Sequence, residues 1–199
     1  MTSSRLPSSL EPNALTLAVA AKRRRGVAIA DLTESNPTRV GLSYPQDLLA
    51  GLADPQALDY DPQPLGLWPA RAAVAADFRR RGIVISADRV ALTASTSEAE
   101  ALLFKLLCDA GDLVLVPRPS YPLFEHLTAL DGVRAYQYAL EYHGRWTIDV
   151  ESMAVAPPDT RAVLMVSPNN PTGSYVDAEE LARVSNLCRE RRWALVVDE

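Results

Sequence analysis

The sequence has no apolar run approaching the roughly eighteen residues that carry a helix across a bilayer, and no basic lead-in followed by an apolar core and a cleavage site. No membrane partner is therefore expected, and a cytoplasmic location is the default reading. Cysteine is scarce. Cys108 and Cys188 stand far apart in apolar, helix-like patterns rather than as a CxxC pair, so each reads as a buried free thiol and not as a redox or disulfide device. Histidine is as scarce: His126 and His143 have no second histidine or cysteine at ligand spacing, and no metal site is expected. An excess of positive charge is also missing. The 20 basic residues face 25 acidic ones, for a net charge of -5, which argues against the broad footprint that DNA or RNA binding needs. Neither a GxxxxGK-type loop nor a GxGxxG turn is present, so a nucleotide loop and a nicotinamide-dependent oxidoreductase are both unsupported.

What is present is the composition of a globular protein, 48% hydrophobic and 23% charged over 199 residues, enough for one large domain or a domain with an arm. Residues 1–12 are rich in Ser and Pro and read as a lead-in. Asn13 can cap a helix that Gly26 ends, with Lys22 to Arg25 in its last turn, where positive charge suits the helix dipole rather than marking a nucleic-acid patch. Asp31 to Pro45 has turn residues and no sustained period, and reads as an extended surface or cleft segment. The pattern then predicts a helix from Pro69 to Arg81, a strand from Arg89 to Ala94, and a helix in which Leu102, Leu103, Leu106 and Leu107 recur at helical spacing before Gly111. Short strands follow at 113–117, near 134–140, at 162–167 and at 194–198, with a helix over 177–192. Strands alternating with helices, several apolar throughout, indicate an α/β fold: a three-layer, mixed but mostly parallel sheet with helices on both faces. The last residues, WALVVDE, form a buried-type strand with Asp198 and Glu199 at its carboxyl end, where ligands bind in open parallel sheets. The chain is accordingly expected to be part of a longer one.

Four segments could carry chemistry, each at a strand end. Thr93 to Ala99 (TASTSEA) lies between a strand and a helix, where unsatisfied amides and the hydroxyls of Ser95, Thr96 and Ser97 would suit a phosphate; a plain N-cap with Glu98 in the first turn is the other reading. Arg118 to Pro122 (RPSYP) stiffens the backbone around Tyr121, whose ring could stack on a planar ligand or pack as part of a turn. In Ser167 to Gly173 (SPNNPTG) an asparagine could aim its amide at a ligand oxygen, although Asn-Pro also starts turns. Asp198 ends a buried strand, where a carboxylate is costly unless paired; a protonated ring nitrogen would suit it, and a surface turn would remove the need.

The order TASTSEA, RPSYPLF, SPNNPTG and VVDE resembles the class I/II aminotransferases, fold-type-I enzymes that use pyridoxal 5'-phosphate (PLP). DLTESNPTRVGL from Asp31 and YDPQPLG from Tyr60 are similar to the family's substrate-cleft strand and its tyrosine-to-glycine turn. The resemblance implies that Asp198 pairs with the pyridine nitrogen, that Asn170 hydrogen-bonds the ring's phenolic oxygen, and that Tyr121 stacks on the ring. It places the phosphate-binding trio at Ala94, Ser95 and Thr96, with Ser97 one step into the helix; the middle position, commonly glycine, is Ser95 here. Tyr60 matches a tyrosine that reaches across a dimer interface to the neighbour's phosphate, which implies a homodimer, and Ser35 and Asn36 lie where the family contacts the substrate carboxylate. The implied domains are an N-terminal arm with part of the small domain over 1–45 and part of the large PLP-binding domain over 46–199. The two lysines, Lys22 and Lys105, do not match the Schiff-base lysine, which is expected beyond Glu199, as is the small domain's carboxylate-binding arginine. The resemblance thus implies a parent that moves an amino group from an amino acid to a 2-oxo acid, and a chain that is inactive alone. A β-lyase or a decarboxylase of the same fold, or a non-catalytic truncated or ligand-binding product, would carry the same motifs.

Overall fold

The computed structural model describes residues 3–7, 9, 11–32, 34 and 36–199. The chain divides into two compact units, one containing Ser9–Leu92 and the other Thr93–Glu199. No described helix is long and apolar enough to cross a membrane.

In the first unit, helix α1 (Ala14–Arg24) is capped by the Asn13 side chain, which accepts from the Thr16 amide at 2.8 Å, and its last turn carries Lys22, Arg23 and Arg24. Two short 3-10 turns, Ala50–Ala53 and Pro55–Leu58, lead to α2 (Trp68–Arg80). The Gln63 side-chain carbonyl accepts from the Trp68 amide at 2.8 Å and so starts α2 in place of a conventional cap. Arg71 then ties the unit together by donating to the carbonyls of Gly66 (3.0 Å) and Ala87 (3.1 Å). Gly66 has φ +91°, and a Cβ there would lie 2.8 Å from that of Leu92, so both conformation and space require glycine. The strand expected over Arg89 to Ala94 does not form. Residues 87–89 make a 3-10 turn, and the Leu92 amide, 3.0 Å from the Leu65 carbonyl, makes the only backbone bond from 90–94 to a distant segment among the described residues. Without a neighbour to pair with along its length, the segment stays extended but unladdered.

The second unit is a five-stranded sheet in the order β3-β2-β1-β4-β5. Its strands are β1 (Leu113–Arg118), β2 (Arg134–Tyr142), β3 (Trp146–Ile148), β4 (Thr160–Val166) and β5 (Ala194–Asp198). β1 pairs in parallel with β2 and β4, β4 with β5, and only the β2–β3 hairpin is antiparallel. The expected α/β class and mostly parallel sheet are thus observed. Alternation along each strand divides the core in two. Val114 and Val116 of β1, with Ala162, Leu164 and Val166 of β4, face α3 (Thr96–Leu107) and α4 (Leu123–Leu130) through Phe104 and Phe124. Leu115, Val163 and Met165 face α5 (Val150–Ala154) and α6 (Ala178–Arg191) through Met153, Val184 and Cys188. Helices therefore cover both faces, the third layer being the sheet itself.

A buried carboxylate secures the α6 side. Asp177 accepts from the Glu180 amide at 2.8 Å, and Glu180, 1% exposed, reaches back to the Asp177 amide and across to the Ile148 amide at 2.9 Å. The capping box thereby also fastens the short edge strand β3. Glu180→Ala strands those two amides and is expected to cost about 3 kcal/mol of stability, read as a lowered denaturant midpoint with unchanged slope.

Candidate functional site

β1, β4 and β5 are parallel, so their carboxyl ends fall on one edge of the sheet, and the path out of β1 turns to β2 on one side while β4 lies on the other. Crevices at such reversals are where open α/β sheets hold ligands. The loops leaving these strands, with the start of α3, supply the candidate residues.

The start of α3 is built by Ser95, whose hydroxyl accepts from the Glu98 amide at 3.1 Å, while the Glu98 carboxylate accepts from the Ala94 amide at 2.5 Å. Ser95 and Glu98 thus make the N-cap that was one of the two readings of this segment. The cap leaves the amides of Thr96 and Ser97 with no acceptor among the described residues, aimed outward at the positive end of the helix dipole. Their hydroxyls belong to the same turn.

The loops after β1 and β4 are joined by Asn169. Only 4% exposed, its amide nitrogen donates to the Pro119 carbonyl at 3.1 Å and to the Thr172 hydroxyl at 2.9 Å, and its Oδ1 faces the Ser120 hydroxyl at 3.4 Å. Its backbone closes the turn through Ser174 and Gly173. With Asn169 so engaged, its neighbour Asn170 is left exposed, its side-chain amide bonded to none of the described residues. Tyr121 stands in the β1 loop with its ring edge-on to Phe124, centroids 5.8 Å apart at 84°, so that one aromatic fixes the tilt of the other. Asp198 ends β5 opposite Val166, and its carbonyl accepts from the Ser167 amide at 2.9 Å.

These parts surround one open cavity of about 370 Å³, lined by Thr96, Ser97, Tyr121, Asn170, Asp198 and Glu199, with Val166, Phe124 and Pro168 as its apolar lining. Of the candidates read from the sequence, Thr96, Tyr121, Asn170 and Asp198 meet here, and Ser97 joins them. Ala94 and Ser95 stand just before this turn, Ser95 with its hydroxyl committed to the cap. Asn36 and Tyr60 belong to the other unit: Asn36 accepts from the Thr38 amide at 3.0 Å in a local turn, and Tyr60 is 92% exposed. Ser35 lies outside the described residues.

Two residues of consequence were not among the candidates. Asn169 is one; the doubled asparagine of SPNNPTG contains no signal of which member is buried. Glu100 is the other. It shares the buried face of α3 with Phe104, one turn on, and is 6% exposed, a spacing that could have drawn attention to a carboxyl among apolar positions. Burial, and secondarily the charge of Asp198, push its carboxyl up to about 7. Both thiols are free, but only Cys188 is buried as expected, and burial raises it to about 11; Cys108, at the end of α3, is half-buried, and its partial burial and then the charge of Asp112 raise it.

The family model for class I and II aminotransferases matches residues 62–199. The chain belongs to the class I and II aminotransferase family. It is 33% identical over 136 residues to the valine–pyruvate aminotransferase of Mycobacterium tuberculosis, covering 68% of this chain and 35% of that one. It is 30% identical over 179 residues to the glutamate–pyruvate aminotransferase of Haemophilus influenzae, covering 87% and 44%. Among solved structures it resembles the alanine aminotransferase of Pyrococcus furiosus (TM-score 0.79, 28% identity, 92% of this chain and 48% of that one). A double mutant of Thermus thermophilus aspartate aminotransferase gives a TM-score of 0.82 at 29% identity, over 100% of this chain and 53% of that one. The chain therefore spans between a third and a half of the length of these curated relatives, 35% and 44%. The family is PLP-dependent, and the cavity's donor set fits that cofactor: unpartnered helix amides and hydroxyls for a phosphate, an aromatic ring for a planar face, an amide for a phenolic oxygen and a carboxylate for a ring nitrogen.

The Glu100 carboxyl has a consequence for stability. Its pKa is raised from an ordinary 4.5 to about 7, so the folded chain holds this proton more tightly than the unfolded one. The contribution is complete below pH 4.5 and is lost as pH rises through about 7. Glu100→Gln removes that slope, and its melting temperature should gain on the parent's by a few degrees between acid and mildly alkaline solution, as thermal denaturation across that window would show.

Proposed function

We propose that the parent protein is a PLP-dependent aminotransferase that moves an amino group from an amino acid to a 2-oxo acid, and that this chain carries the part that cradles the cofactor. The observation that supports it best is the convergence of Thr96, Ser97, Tyr121, Asn170 and Asp198 on one cavity at the carboxyl edge of the sheet. Bound PLP supplies an electron-withdrawing ring that acidifies the α-proton of an amino acid. In this reading the Thr96 and Ser97 amides and hydroxyls hold the phosphate, with Ala94 and Ser95 shaping the turn, and Asp198 keeps a proton on the ring nitrogen. The Asn170 amide donates to the phenolic oxygen while Tyr121 covers one ring face and excludes water from it. The two curated relatives named above are aminotransferases with pyruvate in their names, which favours transamination over lyase or decarboxylase chemistry and makes pyruvate the first acceptor to try.

No lysine of this chain lines the cavity: Lys105 donates to the Ala101 carbonyl at 3.2 Å and pairs with Asp131, and Lys22 belongs to α1 in the other unit. We therefore assign the base that moves the α-proton, and the arginine that holds the substrate carboxylate, to the remainder of the parent. The 199 residues alone should be inactive. The same reading makes 1–45 an arm with part of the small domain and 46–199 part of the large one. It also makes the parent a homodimer in which Tyr60 serves the neighbour's phosphate and Ser35 and Asn36 meet the substrate.

The test is saturable binding of PLP to this chain, followed by absorbance and equilibrium dialysis, with keto-acid formation assayed alongside. Asp198→Asn should weaken binding by about tenfold or more, one charge-assisted bond being worth at least the 1.4 kcal/mol this represents, and no keto acid should form. Absence of saturable binding, or binding indifferent to Asp198→Asn and Thr96→Ala, overturns the cofactor assignment; amino acid turnover by the chain overturns the assignment of the base.

A further inference from the structure

We propose that Glu100 is a positioning residue for the cofactor ring: a second carboxyl that acts through Asp198 and strengthens its hold on a protonated ring nitrogen. The inference rests on the reading of the cavity as a PLP site and assigns a role to a residue that no motif marks.

Glu100 follows Thr96 by four positions and Ser97 by three, so on α3 it lies on the same side as the two residues that line the cavity, one turn deeper. It is 6% exposed, on the helix face that continues to Phe104. Among the described residues no hydrogen-bond donor and no cation meets its carboxyl. Val196 of β5 packs against the cluster that holds Phe104, and Asp198, two residues further along the strand, stands on that same face towards α3, so its charge is the one that reaches Glu100. Of the other charged groups nearby, Glu98 is engaged with the Ala94 amide, Lys105 with Asp131 and Glu125 with Gln137, and His126 is exposed on α4; Glu199, exposed at the end of β5, is the one further carboxyl that lines the cavity beside Asp198. A buried carboxyl with no donor and no cation is an expensive choice for holding a helix against a sheet, where any apolar side chain would serve.

Its effect follows from linkage. Burial first, and the negative charge of Asp198 second, make Glu100 retain its proton, so a cation placed against Asp198 cancels the second of these and must release that proton more readily. By reciprocity, the ionised Glu100 strengthens the hold of Asp198 on a cation. As solution pH rises through neutrality a pyridine nitrogen tends to lose its proton and its pair with Asp198. The Glu100 carboxyl ionises in the same range and adds a second negative charge where the ring cation sits, so the protonated ring is retained to higher pH than Asp198 alone would allow.

The experiment uses the 199-residue chain and PLP itself. Dissociation constants and the absorbance of the bound ring, which differs between protonated and unprotonated nitrogen, are followed from about pH 6 to about pH 8 for the parent, Glu100→Gln, Glu100→Asp and Asp198→Asn. Glu100→Gln should weaken binding severalfold more steeply with rising pH than the parent and shift loss of the protonated-ring spectrum to lower pH. Glu100→Asp should restore part of the parent's profile, and in the Asp198→Asn background Glu100→Gln should change nothing further, since the two act as one unit. Superposable pH profiles for parent and Glu100→Gln, with binding still dependent on Asp198, overturn this proposal and leave the cofactor site standing. Parent chain that binds no PLP overturns both. A Glu100→Gln effect that is uniform across pH, or that persists unchanged without Asp198, marks Glu100 as structural and also overturns it.

Discussion

The parallel pairing of β1, β4 and β5 is the constraint on which the candidate site depends. The register that sets Val166 beside Asp198 brings the Asp198 carbonyl to the Ser167 amide, so the last residue of β5 and the first residue of the β4 loop are fixed by the same ladder. A one-residue slip would exchange the two faces of β5, and the alternation that sends Leu195 and Val196 to opposite cores opposes it. Asp198 can therefore occupy the cavity edge only while both layers of helices are packed. Stability of the second unit and geometry of the site are one property.

Above that ladder, polar groups divide into those that hold the loops and those left over. Ser95 and Glu98 spend their hydrogen-bonding capacity on backbone, closing the α3 turn, and Asn169 spends its own on the Pro119 carbonyl and neighbouring hydroxyls, joining the β1 loop to the β4 loop. The Thr96 and Ser97 amides, the Asn170 side chain and the Asp198 carboxylate face the cavity instead. Such a division is what a preorganised site requires, because groups already fixed by their neighbours lose little freedom when a ligand arrives. A buried carboxyl without a donor, Glu100, is the exception on the interior side.

β1 and β4 were legible because each carries an unbroken apolar run, as only a strand covered on both faces can, and α6 because Asp177 and Glu180 announce their capping box. What escaped was decided by partners distant in the chain. α4 begins right after Pro122, in a proline-rich stretch that reads as turn, and has only eight residues in which to show a period. β3 is three residues long and exists by pairing with β2 and by the Glu180 bond to Ile148. RVALTA has the residues of a strand but, among the described residues, only the Leu92–Leu65 backbone bond to a distant segment. At the site, residue types were readable from the strand-end motifs, yet whether Ser95 or Ser97 faces the cavity depended on which hydroxyl the helix takes as its cap.

The central claim, that this cavity receives PLP with its phosphate at the α3 turn and its ring nitrogen at Asp198, is tested most directly by mapping amide chemical shifts of the chain by NMR as PLP is added. Saturable shifts centred on Thr96, Ser97, Tyr121, Asn170 and Asp198, with the rest of the sheet unmoved, are the expected result. Shifts that cluster on Lys22 or Lys105, or that grow without saturation and spare the α3 turn, would contradict it.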